Sequence, residues 1–144
     1  MAKGGATDGY LERLRSVPLF AECDDAELRQ VGTLGTEITL PAGRVLTTEG
    51  ERGQEAFLLE EGQAVATRGG QEIARFGPGD FFGEMALIGD RPRSATVTTE
   101  SEVLVRAFHS SEFRRMMIDV PSIALRILTT MASRLASAED AATH

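Results

Sequence analysis

From Thr36 to Phe108 apolar and polar residues alternate with a period of two, and the alternation breaks at evenly spaced glycines, which leaves few folds open. Glu37-Ile38-Thr39-Leu40, Arg44-Val45-Leu46-Thr47, Ala56-Phe57-Leu58-Leu59, Ala64-Val65-Ala66-Thr67, Glu72-Ile73-Ala74-Arg75-Phe76, Ala95 to Thr99 and Val103 to Phe108 read as short strands. Between them stand Pro41-Ala42-Gly43, Gly50 and Gly53, Gly62, Gly69-Gly70 and Gly77-Pro78-Gly79-Asp80, each suited to a turn conformation that other residues enter only at a steric cost. Short strands at such regular spacing predict an antiparallel barrel or roll.

Helical patterns flank this region. Tyr10, Leu11, Leu14 and Val17 recur at helical spacing until Pro18, and Asp24-Asp25 caps a second helix through Leu28 and Val31. After the strands, Ser110-Ser111-Glu112 caps a helix through Met117 and Ile118, and Pro121-Ser122 starts another that runs to about Ala138. The fold class is therefore α+β: an antiparallel β-roll, like a double-stranded β-helix, flanked by N-terminal helices and a C-terminal helix pair. Polar, Gly-rich residues 1–8 read as a flexible leader, residues 9–140 as the domain and residues 141–144 as a flexible tail. In the last helix Ala124, Leu128, Met131, Leu135 and Ala138 form a heptad-like seam, while Ile123, Ile127, Thr130 and Arg134 line an adjacent stripe. One stripe packs on the roll and the other suits a partner helix, which makes a homodimer the expectation; the alternative is one helix with a broad buried face.

Length and charge exclude several functions. The chain of 144 residues has the size of one domain, and its net charge of −7 opposes direct nucleic-acid binding. Cys23 is the only cysteine, so no internal disulfide forms, and a reducing, cytoplasmic compartment fits best. No apolar run has the length of a membrane span, and the N-terminus lacks the apolar core of a signal peptide. With His109 and His144 as the only histidines, neither a multi-histidine metal site nor a His-centred catalytic apparatus is expected, and the chain reads as no enzyme.

The chemistry gathers between Phe82 and Val97. Gly83-Glu84 opens a short helical pattern through Met85, Ala86, Leu87 and Ile88, whose free backbone N–H groups offer a seat for an anion. After the Gly89-Asp90 turn, Pro92 biases Arg91 toward an extended conformation and leaves little slack before Arg93. The Arg93 guanidinium can grip two phosphate oxygens in a planar fork, and Ser94 adds a hydroxyl and an N–H. This segment reads as a surface-accessible phosphate site. Glu84 would repel phosphate unless it faces a hydroxyl donor such as a ribose 2′-OH.

The order Phe82-Gly83-Glu84, then Ala86-Leu87, then Pro92-Arg93-Ser94-Ala95-Thr96-Val97 resembles the phosphate-binding cassette of the cyclic-nucleotide-binding domain family. The glycines of Glu49-Gly50-Glu51-Arg52-Gly53 and Gly62 resemble the family's glycine framework, so the likeness covers roughly residues 10 to 138. It implies a bacterial-type regulatory sensor in which Glu84 holds the ribose hydroxyl and Arg93 the cyclic phosphate. Gly83, Met85, Ala86, Ser94 and Ala95 would add contacts, and Ile73 with nearby Ala66 would form an apolar wall for the base. The resemblance also turns Arg134 toward the cassette, where it is placed to pair with Glu84; the alternative is a surface arginine near a helix C-terminus. The implied ligand is cyclic AMP, with cyclic GMP as the alternative, and no metal. Ser94 is compatible with either base. Relatives place hydroxyl residues that touch adenine where this chain has Ala138 and Glu139, so the choice of base is open. Binding is expected to move the C-terminal helix and to signal to an unknown downstream protein. A metal enzyme on a similar roll would need histidines that the strands lack, and an interaction domain with an empty pocket is the other alternative.

Overall fold

The computed structural model describes residues 9, 11–89 and 91–143, without the side chains of Met85, Arg134 and residues 137–143. The expected leader, 1–8, lies outside the described residues. Helix α1 (11–15) leads through a 3-10 turn, Pro18–Phe20, into α2, Asp25–Thr33. The Asp24 carboxylate accepts from the Glu27 N–H at 2.8 Å and the Asp24 N–H donates to the Glu27 carboxylate at 2.9 Å, closing a capping box at the expected place.

Eight strands follow: β1, Thr36–Leu40; β2, Val45–Thr47; β3, Glu55–Glu61; β4, Ala64–Arg68; β5, Gln71–Phe76; β6, Phe81–Phe82; β7, Thr96–Thr99; β8, Val103–His109. They form two antiparallel four-stranded sheets, in the orders β1-β8-β3-β6 and β2-β7-β4-β5, and short helix α3, Glu84–Ile88, interrupts them. This is the expected α+β roll. Strand β6 is the one not foreseen, because two residues show no period. It pairs Phe82 with Phe57, and the ring of Phe82 stacks between those of Phe57 and Phe76 at centroid distances of 5.4 and 4.8 Å.

Strand β3 explains why the core has two compartments. Ala56 and Leu58 point to the helices, where they join Leu14, Phe20, Leu28, Phe108, Phe113 and Ile123; Phe57 and Leu59 point into the roll, with Val97, Val103 and Val105. Both faces of the strand are covered, so its sequence reads as an apolar run. Arg106 follows the helix-facing alternation and is buried, its Nε donating to Glu60 at 2.9 Å and its Nη2 to Glu37 at 3.0 Å. Arg13 reaches the same two carboxylates from the N-terminal segment.

Helix α4, Ser110–Asp119, starts one residue earlier in its capping than the serines suggested: the His109 ring accepts from the Ser111 N–H and Glu112 accepts from the His109 N–H at 3.0 Å. The other Glu112 oxygen accepts from the Gly35 N–H at 3.0 Å, which ties α4 to the start of β1. Helix α5, Pro121–Thr143, runs past the expected end near Ala138. Ile123 and Ile127 pack on the core, and Leu128 and Leu135 of the expected seam face outward, 61% and 62% exposed; Met131 instead leans against the core, and Leu125, 64% exposed, joins the outward stripe. Among the described residues no single helix is long and apolar enough to cross a membrane.

Candidate functional site

Between the second sheet and α3 lies a cavity of about 750 Å³, within the size range of small-molecule sites. Phe76 and Phe82, stacked on one another, line it together with Ala66, Ala74 and Val97; Ile73, 47% exposed, stands at its edge. The segments expected to bind phosphate close the other side through Gly83, Glu84, Ala86, Arg93, Ser94 and Ala95. Of the residues singled out in the sequence, these and Ile73 meet at one cavity. The side chains of Met85, Arg134, Ala138 and Glu139 lie outside those described.

Arg93 is not a surface side chain, as the sequence suggested, but is only 7% exposed. Its Nη1 donates to the Gly83 carbonyl at 3.0 Å and its Nη2 to the Glu55 carbonyl at 2.6 Å. The backbone is fixed as firmly: the Arg93 N–H donates to the Glu51 carbonyl and the Gly50 N–H to the Arg93 carbonyl, both at 2.8 Å. Two glycines make room for the guanidinium. A β-carbon on Gly83 would stand 2.8 Å from Nη1 and one on Gly53 1.9 Å from Nε, and Gly83 also adopts a φ of +87°. Burial pushes the guanidinium below the usual arginine value and the Glu55 carboxylate acts against it; arginine remains charged all the same. The two carbonyls occupy part of a five-donor group, and no carboxylate is hydrogen-bonded to it among the described residues. A buried cation facing a cavity in this way can seat an anion.

Glu84 opens α3, is 7% exposed and lines the same cavity. It also borders a groove toward α5 that Ile127 and Thr130 line from the helix side. The lining thus carries Arg68, Arg91 and Arg93 against Glu84, a positive balance within a chain of net charge −7. Such focusing attracts an anionic ligand against the field of the whole molecule.

Three contributors were not evident in the sequence as site residues. Gly53 belonged to a recognised glycine framework, yet its partner, Arg93, is distant in sequence. Thr47 donates to the Ala95 carbonyl at 2.9 Å, and Arg68 Nε donates to the Ser94 carbonyl at 2.8 Å, so both residues after Arg93 are held by the second sheet. The period-two register from Ala64 through Ala66 to Arg68 was the available signal for the last of these.

Known proteins share the family and the fold of this chain. The family model for the cyclic nucleotide-binding domain matches residues 37–119. The chain is 39% identical over 127 residues to a cyclic nucleotide-gated potassium channel of Mesorhizobium japonicum, a match that covers 88% of this chain and 35% of the channel. The regulatory domain of Toxoplasma gondii PKA, solved with cAMP, superposes with a TM-score of 0.79 at 29% identity over 92% of this chain and 52% of that one. The catabolite activator protein of Thermus thermophilus superposes with a TM-score of 0.79 at 28% identity over 85% of this chain and 60% of that one. The chain spans about a third of the length of the channel.

Proposed function

Since the chain belongs to the cyclic nucleotide-binding domain family, we propose that it is a regulatory sensor module whose cavity takes a cyclic nucleotide, with cyclic AMP as its ligand and cyclic GMP as the weaker competitor. The cyclic phosphate rests on Arg93 and on the backbone around Ala86, Ser94 and Ala95. The ribose 2′-OH donates to Glu84, and the base lies along Ile73 and Ala66. The observation that carries this reading is the buried Arg93 guanidinium, braced by two carbonyls and aimed at a cavity that Glu84 also lines.

The module binds and does not catalyse. Occupancy is read out by α5, because the groove beside Glu84 is closed on its far side by Ile127 and Thr130 of that helix. A ligand changes such an equilibrium only through contacts that differ between two states, and Glu84 is the group positioned to make them. The exposed leucines of α5 serve a second copy of the chain, and the downstream listener is a protein rather than nucleic acid. A cytoplasmic setting suits the single, unpaired Cys23. Thermal-shift measurement with cyclic AMP, cyclic GMP and ATP tests the reading: the cyclic nucleotides should raise the melting temperature and ATP should not. No shift with any of them would instead favour an interaction domain that keeps the fold without the ligand.

A further inference from the structure

The inward face of β4 is apolar except at its end. Ala64, Ala66 and Arg68 alternate onto one side of the strand, with Val97 opposite Ala66 on β7 and Ala74 opposite it on β5. Arg68 is therefore the one charged side chain that the second sheet adds to the cavity lining. An arginine beside a hairpin turn is ordinarily a solvated residue with no fixed direction. Here Nε donates at 2.8 Å to the carbonyl of Ser94, the residue next to Arg93, and that bond holds the guanidinium at the cavity's edge. Nη1 and Nη2 have no hydrogen-bond partner among the described residues.

We propose that Arg68 is a specificity-determining residue, its terminal amino groups meeting the acceptor edge of a purine whose phosphate is held on Arg93. The inference rests on the cyclic-nucleotide reading of the cavity and names the part of that site that reads the base. Guanine presents two acceptors, O6 and N7, to a guanidinium fork, whereas adenine presents one acceptor and an amino group that cannot accept. Arg68 therefore favours guanine and narrows the advantage of cyclic AMP. Because its Nε also holds the Ser94 carbonyl, base reading and cassette position are linked through one side chain.

Titration calorimetry of the full chain and of Arg68→Ala and Arg68→Lys, each with cyclic AMP and cyclic GMP, tests the assignment. Arg68→Ala should weaken both nucleotides through the lost hold on Ser94 and should lower cyclic GMP affinity about tenfold more than cyclic AMP affinity, the discrimination expected of one bidentate contact. Arg68→Lys keeps the charge without the fork and should resemble the alanine variant in the ratio of the two affinities. Equal losses for both nucleotides, or an unchanged ratio, would overturn the base-reading role while leaving the cavity's ligand class intact. Failure of the unaltered chain to bind either nucleotide would overturn the cavity reading itself, and this proposal with it.

Discussion

Gly53 and Arg93 share one space: a β-carbon on the glycine would stand 1.9 Å from the arginine Nε and 2.0 Å from its Cζ. Gly53 has no positive φ, so the constraint is room for the guanidinium and not backbone conformation. Gly53→Ala should push the guanidinium off the Gly83 and Glu55 carbonyls, at an overpacking cost of about 1–3 kcal/mol. The expected outcome is a fall in cyclic nucleotide affinity of about tenfold or more with a folded chain, read by calorimetry beside urea melts. Unaltered affinity would mean that the guanidinium can relocate without loss.

The proposed second polar contact to the ligand is that of Glu84. If its carboxylate accepts from the ribose 2′-OH, the 2′-deoxy analogue loses one charge-assisted hydrogen bond and should bind about 1–3 kcal/mol more weakly. Glu84→Ala should erase the difference between ribo and deoxy ligands. Equal binding of both ligands to the unaltered chain would assign Glu84 a structural role instead.

The pair Glu37 and Glu60 gives the roll a dependence on pH. Burial, reinforced by a hydrogen bond with Glu37, holds the Glu60 carboxyl above its ordinary value of 4.5, while Glu37 is held below its own by Glu60, Arg106 and Arg13 acting against its desolvation. The folded state keeps the Glu60 proton longer than the unfolded chain, so this group's stabilisation is present at low pH and is lost as pH rises from 4.5 through the raised folded value. Glu37 acts oppositely: its contribution is present above 4.5 and is lost as pH falls through its lowered value. Urea melts of Glu60→Gln across this range should show the variant gaining on the unaltered chain as pH rises. A difference that does not vary with pH would remove Glu60 as the titrating group.

Leu125, Leu128 and Leu135 form an exposed apolar stripe along α5. A second copy that covers it should make the chain dimeric in sedimentation equilibrium, and Leu128→Glu together with Leu135→Glu should return it to a monomer with an unchanged melting temperature. A monomeric unaltered chain at high concentration would contradict the assignment.

How much of this was legible in the sequence depends on the range of the contacts. The strands were readable because period-two alternation and turn glycines are local, and α2 because Asp24 and Glu27 are neighbours. In α5 the spacing separates the inward Ile123 and Ile127 from the outward Leu128 and Leu135, but the choice between Met131 and Leu125 as a further outward residue is made by a core whose other members lie far away in sequence. The cap of α4 is less legible, because a His109 ring is seldom an N-cap whereas the adjacent serines commonly are. In the site, residue types pointed to Glu84 and Arg93, but the burial of Arg93 depends on the Glu55 carbonyl and on Gly53, which the strand pairing brings to it. Arg68 precedes the turn glycines Gly69-Gly70, and only the register of β4 places it at the cavity.

The central claim is that Arg93 is the seat of a cyclic phosphate, and the most direct measurement is titration calorimetry of cyclic AMP against the unaltered chain and Arg93→Ala, with Arg93→Lys as the charge-preserving control. Removing a buried, charge-assisted contact costs on the order of 2–5 kcal/mol, so Arg93→Ala should bind tens- to thousands-fold more weakly, and the lysine, lacking the fork, should recover little of the loss. Circular dichroism melts should show that both variants remain folded, with some stability lost because the Gly83 and Glu55 carbonyls lose their donors. Cyclic AMP binding to a folded Arg93→Ala variant with undiminished affinity would contradict the account.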